Sequence, residues 1–281
     1  MTAPAQEKPA SWTDAKRIAG VRKWHGLWEV LSKEATEVML RALPDPRGLH
    51  VLDIACGSGE PALSFARLVG AEGHVTATDL GGEILAVAEE NSRRLGLTNI
   101  SFRTADAQKL PFPDESFDAV TCRYGVMFFP DPTAALRECA RVLKPQGRVV
   151  FLAWGPPEQP YFASTIGMLG KYADVPLNTP DAPLPFRFAR PGSLRRTLEE
   201  AGFVQVQEEA RTVTLQYPGT PEILWQYFRE TSTVYRPCFD RLAADALVKL
   251  TSDALAALRQ YYDGRQMKMP AQVVLATGMR G

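Results

Sequence analysis

Short apolar runs alternate with amphipathic segments through the first half of the chain. Runs typical of buried strands occupy 50–55, 74–79, 99–104, 118–124 and 147–154. Between them, apolar positions recur every three or four residues, which predicts helices at 61–69, 83–95 and 132–143. Strands that alternate with helices across short loops indicate a parallel sheet with helices on both faces.

The segments before and after this alternation have other patterns. Apolar positions from Trp24 onward predict a helix over 23–43, which Pro44 ends. The proline-rich stretch 155–190 predicts an irregular, partly helical insertion. The remaining elements are predicted as a helix at 192–201, a strand at 203–217, a helical segment at 220–262 and a strand at 271–277. We therefore expect an α/β three-layer sandwich with a seven-stranded, mostly parallel, doubly wound sheet whose last two strands are antiparallel.

Composition narrows the class of protein. In 281 residues, 32 Lys and Arg balance 32 Asp and Glu, whereas a protein that grips a polyanion usually has a basic excess. The four cysteines form no C-x-x-C pair, so we expect neither a disulfide framework nor a zinc site. The N-terminal residues lack a basic start followed by an apolar run, and no apolar stretch is long enough to cross a membrane. We therefore expect a cytoplasmic protein without stable membrane insertion.

A glycine-rich turn joins the first predicted strand to the helix that follows it. Gly57 and Gly59 permit tight backbone angles and the close approach of a ligand. Asp79 ends the next strand, twenty residues after Gly59, where a carboxylate can accept hydrogen bonds from both hydroxyls of a ribose. The same spacing is typical of dinucleotide-binding proteins, and Asp79 can instead cap the next helix. The turn alone leaves the class of ligand open.

Two further acidic residues favour a ligand with a cationic portion over NAD. Asp53 lies inside the first strand, where NAD-binding strands usually have an apolar residue or glycine, and it can meet an ammonium or sulfonium group. Its alternative role is that of a buried acid held by loop N–H groups. Asp106 follows the third strand, where it can accept a hydrogen bond from an adenine amino group or simply form a turn.

Four ordered motifs carry a family resemblance. They are DIACGSG at 53–59, TATD at 76–79, ADAQKLPFPDESFDAV at 105–120 and RVLKPQGRVVFLAW at 141–154. Together they resemble the class I methyltransferases that use S-adenosyl-L-methionine (SAM), and LPFPDESFD resembles the branch of the ubiquinone/menaquinone C-methyltransferases. The resemblance implies a Rossmann-like fold with a helical lid at 1–46. A SAM-binding catalytic domain would follow at 47–281, with acceptor-site insertions at about 155–190 and 218–262.

The resemblance also implies roles for the residues that match the motifs. Asp53 and the turn containing Ala55, Gly57 and Gly59 would hold the methionine portion of SAM. Asp79 would bind the ribose. The remaining residues implied in cofactor binding are Leu80, Asp106 and Ala107 at the adenine and Cys122 and Arg123 beside the methionine.

Aromatic residues are the candidates for the walls of an acceptor pocket, although each can equally fill the core. They are Trp24, Trp28, Phe128, Trp154 and Trp225. His25 and Tyr124 are the candidate catalytic residues, and the alternative for His25 is an ordinary packed or exposed side chain without a catalytic role. A histidine can take a proton from a phenol or an activated carbon near neutral pH, and Tyr124 follows the fourth strand at the ligand-bearing edge.

The sequence therefore predicts a SAM-dependent methyltransferase that acts on a small, partly hydrophobic molecule of the quinol, phenol, polyketide or terpenoid type. We expect a monomer or homodimer that needs no metal and binds no nucleic acid. An RNA or protein methyltransferase would instead have a basic rim and strong salt dependence. A SAM-binding enzyme with another reaction would bind SAM without loss of its methyl group. A NAD-dependent oxidoreductase is disfavoured by Asp53 and Asp106.

Overall fold

The computed structural model describes residues 15–175, 185–232 and 234–281. The sequence predictions for residues 1–14 of the lid and 176–184 of the first insertion lie outside the described residues. The helices are Ala15–Leu31 (α1), Lys33–Ala42 (α2), Ala62–Val69 (α3), Gly82–Arg94 (α4), Pro132–Val142 (α5), Pro160–Ala163 (α6), Ile166–Leu169 (α7), Ser193–Glu200 (α8), Pro221–Thr231 (α9), Arg236–Asp240 (α10) and Ala244–Arg259 (α11). The strands are His50–Ile54 (β1), His74–Asp79 (β2), Ile100–Thr104 (β3), Phe117–Arg123 (β4), Leu143–Trp154 (β5), Phe203–Tyr217 (β6) and Met267–Arg280 (β7).

The seven strands form one sheet in the order β3-β2-β1-β4-β5-β7-β6. Strands β1 to β5 run parallel, and β7 pairs antiparallel with both β5 and β6. Val51, Leu52 and Ile54 of β1 are fully buried, as expected for a parallel strand that is covered on both faces. The fold class predicted from the sequence is confirmed.

The strand order reverses between β1 and β4. The chain passes from β1 outward to β2 and β3, and then returns to the other side of β1 with β4. In open α/β sheets, a crevice forms outside the carboxyl ends of the strands at such a reversal, and ligands bind there. The segments 55–59 after β1 and 124–128 after β4 therefore flank this crevice.

Some element boundaries differ from the sequence prediction. Helix α1 begins at Ala15, eight residues before the predicted start, and Ile18 and Gly20 of this early part are buried. Ser32 separates α1 from α2, with φ −99° and ψ 12°. Its hydroxyl donates to the carbonyl of Trp28 at 2.6 Å, and such local bonds compete with regular helix geometry.

Helix α1 packs against α9, which begins the helical segment between β6 and β7. Glu230 of α9 accepts hydrogen bonds from Lys23 Nζ at 2.8 Å and from Trp24 Nε1 at 2.7 Å. The two backbones come close at Gly20, where an added Cβ would lie 2.9 Å from the carbonyl oxygen of Glu230. None of the helices in the described ranges combines the length and the apolar character that a membrane crossing requires.

Gly20 and Gly26 provide a matched test of this packing. At Gly26, on the same helix, a Cβ would meet no atom within 4 Å, so Gly26→Ala should stabilise α1 by about 0.5–1 kcal/mol through helix propensity. Gly20→Ala should instead lower the free energy of unfolding by about 1–2 kcal/mol, because a backbone oxygen cannot yield as a side chain would. Urea unfolding and hydrogen exchange of residues 15–31 measure both effects. Equal stabilisation by the two substitutions would contradict the close packing.

Candidate active site

The turn after β1 brings three residues with left-handed backbone angles together. Ala55 has φ 55°, Gly57 φ 56° and Gly59 φ 122°. A Cβ on Gly57 would meet no atom within 4 Å, so this glycine faces open space. A Cβ on Gly59 would lie 2.6 Å from Leu63 Cδ1. Gly57 therefore leaves room for a ligand, whereas Gly59 allows α3 to pack against the turn.

A cavity of about 200 Å³ lies beside this turn at the ends of β2 and β3; we call it the acidic cavity. Its lining includes Asp79, Leu80, Ala105, Asp106, Ala107, Phe129 and Pro130. The Asp79 carboxylate accepts hydrogen bonds from the backbone N–H groups of Gly57 and Gly81, both at 3.0 Å. These bonds fix the carboxylate at the edge of the cavity, and each of its oxygens retains a lone pair for a further donor.

A second cavity of about 270 Å³ extends from the turn beneath α1 and α9; we call it the aromatic cavity. Its walls include Trp24, Trp28, Phe128, Trp154, Tyr161, Phe162, Tyr227, Phe228 and Tyr235. The residues that line both cavities are Arg17, Ala55, Gly57, Tyr124 and Phe128. The two cavities therefore adjoin across the glycine turn, and one elongated ligand can occupy parts of both.

Tyr124 lies where the cavities meet. It has a left-handed backbone with φ 58°, and its N–H donates to the carbonyl of Leu152 at 2.8 Å. Its ring stacks on Trp154 with centroids 4.1 Å apart. The hydroxyl is buried and has no hydrogen-bond partner among the described residues. Burial raises the pKa of Tyr124, so the hydroxyl stays protonated and can donate to a ligand.

Tyr235 provides a second hydroxyl of the same kind. The side chain is buried at the start of α10, lines the aromatic cavity, and has no hydrogen-bond partner for its hydroxyl among the described residues. Burial raises the pKa of Tyr235 as well. An apolar wall with two buried hydroxyl groups suits a ligand that is mainly apolar and carries polar atoms at its edge.

Arg123 connects the end of β4 to the helices α1 and α2. Its Nη1 donates to Ser32 Oγ at 2.9 Å and to Thr36 Oγ1 at 2.5 Å, while its Nε is buried without a partner among the described residues. The guanidinium also lies 5.8 Å from the ring centroid of Trp28, within the range of a cation–π contact. Arg123 thus ties the helices α1 and α2 to the sheet and borders the aromatic cavity.

The structure brings most of the predicted site residues together. Those that line one or both cavities are Trp24, His25, Trp28, Ala55, Gly57, Asp79, Leu80, Asp106, Ala107, Arg123, Tyr124, Phe128 and Trp154. Leu80 remains 51% exposed at the rim of the acidic cavity. His25 borders the aromatic cavity, and its Nδ1 lies 3.0 Å from the carbonyl oxygen of Arg22.

Four predicted site residues border neither cavity, and burial or packing explains each. Asp53 is fully buried, and its Oδ1 accepts a hydrogen bond from Thr121 at 2.5 Å. Cys122 points into the core, while Gly59 packs against Leu63. Trp225 is 3% exposed, and its ring stacks on Phe228 with centroids 5.8 Å apart. Direct contact between a ligand and Asp53, Gly59, Cys122 or Trp225 therefore stays a prediction that the lining of the two cavities does not support.

Several residues of the cavities were not predicted. Arg17 belongs to the part of α1 that the helix prediction omitted. Glu60 directly follows the glycine turn, so the motif itself was a signal for it. Tyr161 and Phe162 come from the irregular insertion predicted at 155–190, and Tyr235 comes from the helical segment predicted at 220–262. Only the fold reveals that their side chains line a cavity.

The observed cavities fit SAM. Gly57 offers open space between them, and two acidic side chains line the acidic cavity in the positions expected for ribose and adenine donors. The aromatic cavity contains a buried carboxylate oxygen of Glu60 that has no hydrogen-bond partner among the described residues, so a cationic group finds a counter-charge there.

Comparisons with known proteins agree with this geometry. The family model described as "Methyltransferase domain" matches residues 52–151. The ubiquinone/menaquinone biosynthesis C-methyltransferase of Proteus mirabilis is 33% identical over 196 residues, which cover 65% of this chain and 74% of that protein. The demethylmenaquinone methyltransferase of Staphylococcus aureus is 32% identical over 211 residues, which cover 68% and 84%. The YcgJ protein of Bacillus subtilis has a similar fold, with a TM-score of 0.59, 23% identity and coverage of 88% and 98%.

The burial of Asp53 gives a prediction about pH. Burial raises the pKa of Asp53 to about 7, whereas in the unfolded chain an aspartate ionises near pH 4. The folded chain therefore holds the proton more tightly, and the stability that this supplies is complete below about pH 4 and is lost as the pH rises through 7. Asp53→Asn cannot ionise but can still accept from Thr121. Between pH 5 and pH 8, the unfolding free energy of wild type should therefore fall by about 2.5 kcal/mol relative to that of Asp53→Asn.

Urea unfolding of both proteins at the two pH values checks this expectation. The difference between the two pH dependences isolates Asp53, because every other titrating group is common to both proteins. Parallel pH dependences would show that Asp53 does not titrate with a raised pKa.

Proposed function

We propose that this chain, which belongs to the class I SAM-dependent methyltransferases in the branch of the ubiquinone/menaquinone C-methyltransferases, methylates a small, flat, mainly apolar molecule that carries oxygen. The observation that carries the proposal is the aromatic cavity. Its walls are aromatic rings, and its polar groups include the hydroxyls of Tyr124 and Tyr235, which have no hydrogen-bond partner among the described residues. Flat rings stack on such walls, and an oxygen at the edge of the ligand can pair with the buried hydroxyls.

The acidic cavity and the glycine turn would hold SAM. We assign Asp79 to the ribose hydroxyls, Asp106 and Ala107 to the adenine, and the backbone around Gly57 to the methionine portion. Bound SAM supplies a methyl group that is already activated on a sulfonium. The protein therefore has to orient the two reactants and exclude water, and good orientation alone can contribute roughly 7–11 kcal/mol to lowering the barrier.

The walls of the aromatic cavity would position the acceptor. Tyr124 and Trp154 form a stacked pair, and Trp28 of the lid lies 5.7 Å from Tyr124 between ring centroids. This arrangement places a rigid aromatic surface directly beside the turn that adjoins the acidic cavity. The acceptor atom would thus approach from the aromatic cavity, shielded from water by α1 and α9.

Two residues are our candidates for handling protons. The Tyr124 hydroxyl, whose pKa is raised by burial, would donate to an oxygen of the acceptor rather than act as a base. His25 borders the same cavity from the lid and would accept a proton from an acceptor that must lose one. The remaining residues would act through shape and charge.

Transfer of a labelled methyl group from SAM tests the proposal. The acceptors are 1,4-naphthalenediol and substituted phenols, chosen because the relatives from P. mirabilis and S. aureus are named for quinone methylation. Non-aromatic terpenoid alcohols, RNA and a protein mixture serve as comparison acceptors. We expect label in an organic-extractable aromatic product. Label found only in RNA or protein would overturn the proposed class of acceptor, and SAM binding without transfer to any metabolite extract would overturn methyl transfer itself.

Asp79 gives a prediction about cofactor affinity. Asp79→Asn keeps one oxygen for the backbone N–H groups but loses the charge and the second acceptor, so the dissociation constant of S-adenosylhomocysteine should rise roughly 10- to 100-fold. Isothermal titration calorimetry measures this change. Glu72→Gln is the matched control, because Glu72 is an exposed acid just before β2, at the end of that strand opposite Asp79. Similar affinities for both variants would count against the ribose assignment.

A further inference from the structure

Among the described residues that line the aromatic cavity, one carries a carboxylate. The charged and titratable side chains of this cavity, apart from its tyrosines and a cysteine, are Arg17, His25, Glu60 and Arg123. Glu60 directly follows Gly59 and borders the cavity together with Gly57 and Ser58. It therefore lies at the glycine turn, where the aromatic cavity meets the acidic cavity.

One oxygen of this carboxylate lacks a hydrogen-bond partner. Glu60 Oε2 is buried, and no donor among the described residues reaches it. A buried charged group without a partner is costly, and such a group in a binding cavity usually meets a donor from the ligand. A cationic group with several N–H donors satisfies both the charge and the open acceptor site.

Asp53, the other acid near the turn, does not fit this role. Its Oδ2 also lacks a hydrogen-bond partner among the described residues, but its side chain borders neither cavity, its Oδ1 accepts from Thr121, and burial raises its pKa. Asp79 and Asp106 lie in the acidic cavity, on the other side of Gly57. Arg17 and Arg123 border the aromatic cavity with Glu60, so an amino-acid zwitterion would meet both signs of charge there.

We propose that Glu60 binds the α-ammonium group of the methionine portion of SAM. The inference rests on the proposed function, since it takes SAM as the ligand that crosses from the acidic into the aromatic cavity. It moves the ammonium contact from Asp53, which the strand motif suggests, to the residue after the glycine turn. Glu60 is a binding residue in this role, and it has no part in proton transfer.

Three ligands separate this contact from other effects of a substitution. S-adenosylhomocysteine carries the ammonium, its deaminated analogue has hydrogen in place of the amino group, and 5′-methylthioadenosine lacks the whole amino-acid portion. Isothermal titration calorimetry gives the dissociation constant of each ligand with wild type, Glu60→Gln and the control Glu72→Gln. Thermal unfolding of the three proteins verifies that they are folded.

We expect Glu60→Gln to weaken S-adenosylhomocysteine about tenfold or more, as for loss of a charged hydrogen bond, and to change the other two ligands less than about twofold. Equal weakening of S-adenosylhomocysteine and its deaminated analogue would overturn the inference, because it would indicate a structural effect on the turn. Unchanged binding of all three ligands would also overturn it. If wild type binds none of the three ligands, the proposed function fails as well as the inference. If wild type binds S-adenosylhomocysteine and only the Glu60→Gln result is contrary, the inference alone fails.

Discussion

The parallel pairing of β1 with β4 is the constraint on which the site depends. Asp53 of β1 lies opposite Thr121 of β4, and their side chains are joined by a buried hydrogen bond of 2.5 Å. This register places the turn after β1 beside the turn after β4. Ala55 and Tyr124, which both have left-handed backbone angles, therefore line the same two cavities. A shift of one residue would turn each strand's side chains to the opposite face and separate the glycine turn from the aromatic wall.

The sheet and the residues that line the acidic cavity could be predicted from the sequence because their signals are local. Each parallel strand is a short apolar run, and Gly57, Asp79 and Asp106 have fixed places at the ends of such runs. The aromatic residues that line the aromatic cavity were harder to predict. In the segments that contain Tyr161 and Tyr235, the hydrophobic pattern does not distinguish side chains of the core from side chains that line the cavity. Whether an aromatic ring faces a cavity or a neighbouring ring is decided by packing between distant segments, as Trp225 illustrates.

The position of Asp53 or Cys122 within its strand also could not show whether the side chain contacts a ligand or packs in the core. In β4 every side chain except that of Asp118 is buried, because helices cover both faces of the sheet. Alternation therefore does not separate ligand-facing from core-facing positions, and Cys122 and Arg123 were predicted alike although only Arg123 borders a cavity. Similarly, the motif at 53–59 includes Asp53 and stops one residue before Glu60, whereas in the structure Glu60 borders a cavity and Asp53 does not.

The sharing of walls between the two cavities bears on how such an enzyme can diverge. Tyr124 and Phe128 face both cavities, so a substitution there alters the fit of both ligands together. Phe162, Phe228 and Tyr235 face the aromatic cavity alone and come from the segments that connect β5 to β6 and β6 to β7. Substitutions in those two connections therefore reshape the aromatic cavity and leave the lining of the acidic cavity unchanged, so the two cavities can vary independently outside the residues that they share.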